Sequence, residues 1–87
     1  MISKATPSFW RALSLISSAD RQNARRTYRL FAKNPDYNSL RFKKLAGHDD
    51  LWSVRVSRRV RAVAQRSGDT VTWVWIGSHN DFDKLFD

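Results

Sequence analysis

Between Trp52 and Arg66 the chain reads WSVRVSRRVRAVAQR, a two-residue alternation of polar and apolar side chains that extended strands sort onto opposite faces. A helix would scatter the same residues around its axis. Trp52, Val54 and Val56 share one side, Ser53, Arg55 and Ser57 the other, and Arg58-Arg59 falls near a reversal. From Val60 a second strand turns Val60, Ala62 and Ala64 toward a core while Arg59, Arg61 and Val63 alternate with them. Ser67-Gly68-Asp69 is a turn signal, and the following TVTWVWIG is the most apolar strand in the chain. Its continuous bulk implies a central position or cover on both faces.

The first half is helical in pattern. Thr6 or Ser8 can cap a helix that takes Pro7 early, with Phe9, Leu13 and Ile16 at helical spacing and Trp10 widening the stripe. Ser17 or Ser18 caps the next helix, Asp20 enters its first turn and Pro35 stops it. Ala24, Thr27, Tyr28 and Phe31 form its inward face, leaving Arg21, Arg25, Arg26 and Arg29 outside. Leu40 and Phe42 alternate with Arg41 and Lys43 as a short strand, and residues 46–50 form a loop. Phe82, Leu85 and Phe86 anchor a short C-terminal turn or helix. The expected fold is α+β: two N-terminal helices on one face of a four-stranded, mostly antiparallel twisted sheet, in one domain spanning 1–87.

Sixteen Lys or Arg against eight acidic residues give a net charge of +8, which favours a polyanionic partner. The charge is uneven. Residues 1–44 carry ten basic and two acidic groups, residues 45–87 six of each, so an acidic protein segment is also a fitting partner. There is no cysteine, hence no disulfide framework or thiolate metal site, which fits a cytoplasmic setting. The opening MISKATPSFW lacks a secretory apolar run, and no stretch is long enough to span a membrane.

Arg55 and Arg61 lie at outward phases of adjacent strands, where two guanidinium forks can clamp one phosphate. The alternative is that they pair with Asp49, Asp50 or Asp81 and only solubilise the sheet. Lys43 extends this basic track, with Lys44 and Arg41 near it; Arg58 and Arg59 belong to a hairpin end that is often charged in any case. His79, just past Gly77, is the acid–base candidate, with a structural role in the turn as the alternative. His48 is a surface residue of its loop. Trp75 and Phe82 approach the His79 end and are candidates for stacking on an unpaired base. Asp81 and Asp83 near His79 lack a third metal ligand at suitable spacing, so no metal or other cofactor is expected.

Four stretches, YRLFAKNP at 28–35, SLRFKKLAG at 39–47, LWSVRVSRRVRAVAQRSGD at 51–69 and VTWVWIGSHNDFDKLF at 71–86, resemble the RelE/ParE superfamily of bacterial toxins, nearest its RelE and HigB-like members. The resemblance covers about residues 7–86. It implies two helices packed on a twisted antiparallel sheet and a cognate antitoxin, acidic or amphipathic, that wraps the toxin. It further implies cleavage of mRNA on the ribosome, with DNA contact only through the antitoxin. Arg61, in VRAV, matches the family arginine at the scissile phosphate, and Arg55 matches an outward basic position on the preceding strand. Ser53 stands where ribosomal mRNA cleavers often have lysine, and His79 aligns with a terminal catalytic histidine or arginine. The tyrosine that often follows is absent: Asn80 is adjacent and Phe82 has no hydroxyl. The expected catalytic set is therefore Arg61, His79 and Arg55, with Lys43, Lys44, Ser53, Arg58, Arg59 and Phe82 contacting RNA. Two other outcomes stay open, a gyrase-directed toxin and a non-catalytic basic module that binds antitoxin or RNA.

Overall fold

The computed structural model describes residues 1–86. In chain order they form β1 (Ile2–Ala5), α1 (Pro7–Leu15), α2 (Ser18–Lys33), a 3-10 turn (Asn38–Leu40), β2 (Lys43–Lys44), β3 (Leu51–Arg55), β4 (Val60–Ser67), β5 (Thr70–Ser78) and α3 (His79–Phe86). The sheet runs β1-β5-β4-β3-β2, with β1 parallel to β5 and every other pair antiparallel.

The helix caps fall at sites marked in the sequence. Thr6 accepts from the Phe9 amide at 3.2 Å and Ser17 from the Asp20 amide at 3.1 Å, each satisfying a donor that the first helical turn leaves orphaned. Arg21 then donates to the Ile16 carbonyl at 2.5 Å and ties the end of α1 to α2. Phe31 carries α2 into the core: its ring meets Trp73 at 5.3 Å and Phe42 at 4.9 Å, both edge-on. Val54, Val60, Ala62, Ala64, Val71 and Ile76 complete this layer from the sheet. Thr27 donates to the Val56 carbonyl at 3.2 Å, so the one buried polar group of α2 is satisfied and pins the helix to β3.

The four-strand expectation is corrected to five. β1 is a short edge strand whose polar, mixed sequence ISKA carries no clear period; it is recruited by pairing along β5, with Ile2 donating to the Asp69 carbonyl at 2.8 Å. The strand expected over Leu40–Lys43 is also corrected. Leu40 closes a 3-10 turn, Arg41 takes a left-handed φ of 48°, and only Lys43–Lys44 pair with β3. Tyr28 and Leu85, expected to face inward, are exposed.

One irregularity organises the second face of the sheet. Val63 pairs with Trp75 and Ala64 with Trp73, so Val74 is an extra residue in β5, a β-bulge. In a regular strand Trp73 and Trp75 would share a face. The bulge sends Trp73 and Ile76 into the helix-covered core and turns Trp75 and Gly77 to the opposite face, beside fully buried Val63. There α3 provides the cover, with Phe82 and Phe86 packed on Trp75 at 6.3 and 5.4 Å and His48 against Phe86. β5 is thus covered on both sides, as its composition implies. No helix among the described residues is long and apolar enough to cross a membrane.

Candidate functional site

The site grows from one row of the sheet. Arg55 of β3 pairs with Arg61 of β4, which pairs with Gly77 of β5, so the two arginines stand side by side on the α3 face. Extending the β2–β3 register beyond Lys43–Ser53 brings Arg41 opposite Arg55, although its left-handed backbone ends the strand there. The neighbouring row is Lys43, Ser53, Val63 and Trp75. Arg61 is fixed by neutral groups: Nη1 donates to the Ser57 carbonyl at 2.6 Å and to the Val60 carbonyl at 3.1 Å. Burial lowers its pKa below the ordinary guanidinium value, repulsion from Arg55 and Arg41 adds to the shift, and Asp83 offsets part of it. The ion remains charged at neutral pH, in a setting that an added anion would relieve.

His79 lies two residues beyond this row, where the continuation of the β4–β5 ladder sets it opposite Arg59. Val60 pairs with Ser78, and the His79 amide donates to the Arg59 carbonyl at 2.7 Å. Ser78 then caps α3 by accepting from the Asp81 amide at 3.1 Å. Within this first turn His79 Nδ1 lies 3.3 Å from Asp83 Oδ2, an i,i+4 pair on one helix face. An Nδ1–H directed at this carboxylate leaves Nε2 free to accept a proton. Asp83 also acts on the charge of Arg61, raising its pKa against the stronger lowering effects.

Gly77 has a steric role in the same row. The Trp75 indole lies over it, and a Cβ there would stand 2.7 Å from Trp75 Cζ2 and 2.9 Å from Cη2. The absent side chain lets Trp75 lie flat and receive α3, which holds His79 and Asp83 in place.

The expected site residues divide accordingly. Arg55, Arg61 and His79 come together at the β3–β4 end of the sheet, with Arg58 and Arg59 exposed in the adjoining turn. Lys43 is exposed at the edge of the same face, whereas Lys44 falls in the row of Trp52, Ala64 and Trp73 and belongs to the opposite face. Ser53 is corrected: it has the expected phase but is only 3% exposed, because this face is covered, and it cannot contact an RNA strand directly. Phe82 is half-buried and its ring is engaged by Trp75, Phe86 and His79. Pairing of Arg55 or Arg61 with Asp49, Asp50 or Asp81 does not occur; Asp50 accepts from Gln65 instead. Among the described residues the Met1 amine pairs with Asp69, His79 contacts Asp83, and no Lys or Arg side chain lies within 4.0 Å of a carboxylate. Asp83 is the partner of His79, visible in the sequence only through its i,i+4 spacing once a helix is started at His79. No group of three or more His, Asp or Glu among the described residues is placed to hold a metal ion.

Comparison with known proteins places this arrangement. The fold is similar to a chain of the RelB–RelE antitoxin–toxin complex of Methanococcus jannaschii, with TM-score 0.73 and 15% identity over 97% of this chain and 99% of that one. It is similar to a chain of the Escherichia coli DinJ–YafQ toxin–antitoxin complex, with TM-score 0.74 and 11% identity over 98% and 96%. The YoeB/ParE toxin of Agrobacterium tumefaciens gives TM-score 0.70 and 19% identity over 91% and 99%. No curated protein sequence matches. Residues 18–84, from the start of α2 through Lys84 of α3, match the model of the ParE-like toxin domain. The chain belongs to the ParE-like toxin family, within the RelE/ParE superfamily.

Proposed function

We propose that this protein is the toxin of a toxin–antitoxin pair and inhibits translation by metal-independent cleavage of mRNA on the ribosome. The observation that carries the reading is an arginine pair, Arg55 and Arg61, with no described carboxylate within 4.0 Å, next to the turn at Arg59 where the backbone anchors His79 beside Asp83. His79 Nε2 takes the proton of an RNA 2′-hydroxyl, whose oxygen attacks the adjacent phosphorus. The P–O5′ bond breaks, leaving a 2′,3′-cyclic phosphate and a 5′ oxygen that takes up a proton. Arg61, held by carbonyls, and Arg55 donate to the phosphate oxygens as negative charge accumulates, a contribution worth about 10²–10³ in rate for one well-placed donor. The missing tyrosine makes His79 the base.

The charge balance also supports an acidic or amphipathic antitoxin as partner, bound to the folded toxin and stabilising it by linkage. The test maps RNA ends in cells briefly expressing the wild type or Arg61→Ala. Codon-phased cuts that vanish in the variant support the reading. Blocked DNA supercoiling with intact mRNA would replace it by a gyrase-directed toxin, and neither effect with antitoxin binding intact would replace it by a non-catalytic module.

A further inference from the structure

A second basic site lies around the rim of the sheet, at the opposite end of Arg55 from Arg61. A cleft of about 350 Å³ opens between α2, the 3-10 turn and the end of β3. Arg26 of α2 and Arg55 reach it together with Asn23, Ser39 and Ser57, over an apolar floor that includes Leu40, which is 1% exposed. No carboxylate among the described residues lines it. The Thr27 hydroxyl beside it is already committed to the Val56 carbonyl, whereas neither the Arg26 nor the Arg55 guanidinium makes a hydrogen bond or ion pair with any described side chain or carbonyl. Two uncommitted guanidinium forks, two hydroxyls and a carboxamide complement an anion with several acceptor oxygens. A phosphodiester has that chemistry.

We propose that this cleft, framed by Arg26 and Arg55, holds a backbone phosphate of single-stranded RNA beside the scissile one. The assignment rests on the nuclease reading, since Arg55 is shared with the catalytic row. It sets a strand direction over the protein: from Arg61, across Arg55 at the end of β3, into the cleft under α2. Arg26 then contributes to binding of RNA long enough to span both positions and nothing to a fragment that reaches only Arg61.

The experiment uses the intact protein with fluorescein-labelled 2′-O-methyl RNA, which lacks the attacking hydroxyl, as a dinucleotide and as a dodecamer, by anisotropy over a KCl series. Arg26→Ala is expected to reduce the salt slope for the dodecamer by about 0.7, the value for one lost phosphate contact on a single strand, and to leave the dinucleotide unchanged. Arg29→Ala, an exposed residue of the same helix outside the cleft, serves as the control and leaves both unchanged. Amide shifts of Asn23, Ser39 and Ser57 on titration with inorganic phosphate provide a readout independent of RNA. A dodecamer slope that Arg26→Ala does not alter would overturn the subsite, even if Arg61→Ala abolishes cleavage. Conversely, a reduced dodecamer slope in a protein that cuts no mRNA would sustain the phosphate site and overturn the nuclease reading. Binding of an acidic peptide in the cleft, with no Arg26 effect on RNA, would assign it to a protein partner and overturn the proposal.

Discussion

Gly77→Ala is the smallest change that reaches the site through packing. The added methyl carbon would stand 2.7 and 2.9 Å from two carbons of the Trp75 ring, against an optimum of about 3.5–4.0 Å, so the indole must retreat by about 1 Å. It has little room. Phe82 and Phe86 close one side and Val63, fully buried, stands beside it in the sheet. Overpacking of this kind costs about 1–3 kcal/mol. Replacing glycine in a strand returns about 0.5–1 kcal/mol through the unfolded chain. The net loss is therefore up to about 2.5 kcal/mol, and at roughly 4–8 °C per kcal/mol for a domain of this size Tm falls by up to about 20 °C. Thermal denaturation followed by circular dichroism reads it directly. The sharper test is a cycle with Trp75→Leu: in that background the clash is gone, and Gly77→Ala should raise Tm. Equal effects of Gly77→Ala in both backgrounds would refute the packing argument. Cleavage should suffer more than stability, because the displaced indole is the seat of the helix that begins at His79.

Two further outcomes are expected. Asp83→Ala removes the partner of His79 Nδ1, and ¹⁵N shifts of the imidazole should show the ring proton moving from Nδ1 toward Nε2; an unchanged ring spectrum would mean that the 3.3 Å contact does not set the tautomer. Ser17→Ala removes the α2 cap and should cost about 1 kcal/mol without altering the cleavage pattern, as measured by urea unfolding alongside end mapping.

What could be foreseen from residues alone was local. The caps at Thr6 and Ser17, the turn at Ser67-Gly68-Asp69 and the phases of Arg55 and Arg61 depend on near neighbours, and the structure has them where the pattern puts them. The features that escaped depend on pairing across the sheet. β1 exists because β5 offers it an edge, not because ISKA favours extension. The bulge at Val74 breaks the two-residue period, so alternation alone would leave Trp75 with Trp73 and Ile76 apart from both. Ser53 has the outward phase of Arg55 but is buried, and phase says nothing about cover. The left-handed Arg41 is a similar case: its neighbours alternate like a strand, while the 3-10 turn before it bends the chain away.

The way Arg61 is held bears most directly on function. A carboxylate would orient a guanidinium and also neutralise it, leaving a substrate phosphate to compete for the same charge. The Ser57 and Val60 carbonyls orient it at 2.6 and 3.1 Å and leave the charge in place. With Arg55 and Arg41 adding repulsion and burial removing solvent, the free site is electrostatically costly, and a bound phosphate relieves that cost where it forms its contacts. Asp83 offsets part of this at the one point where a negative group is useful, beside His79. The Arg–Val alternation therefore does two separable things: the valines and alanines bury one face against the helices, and the other face delivers guanidinium groups that the protein fixes without discharging.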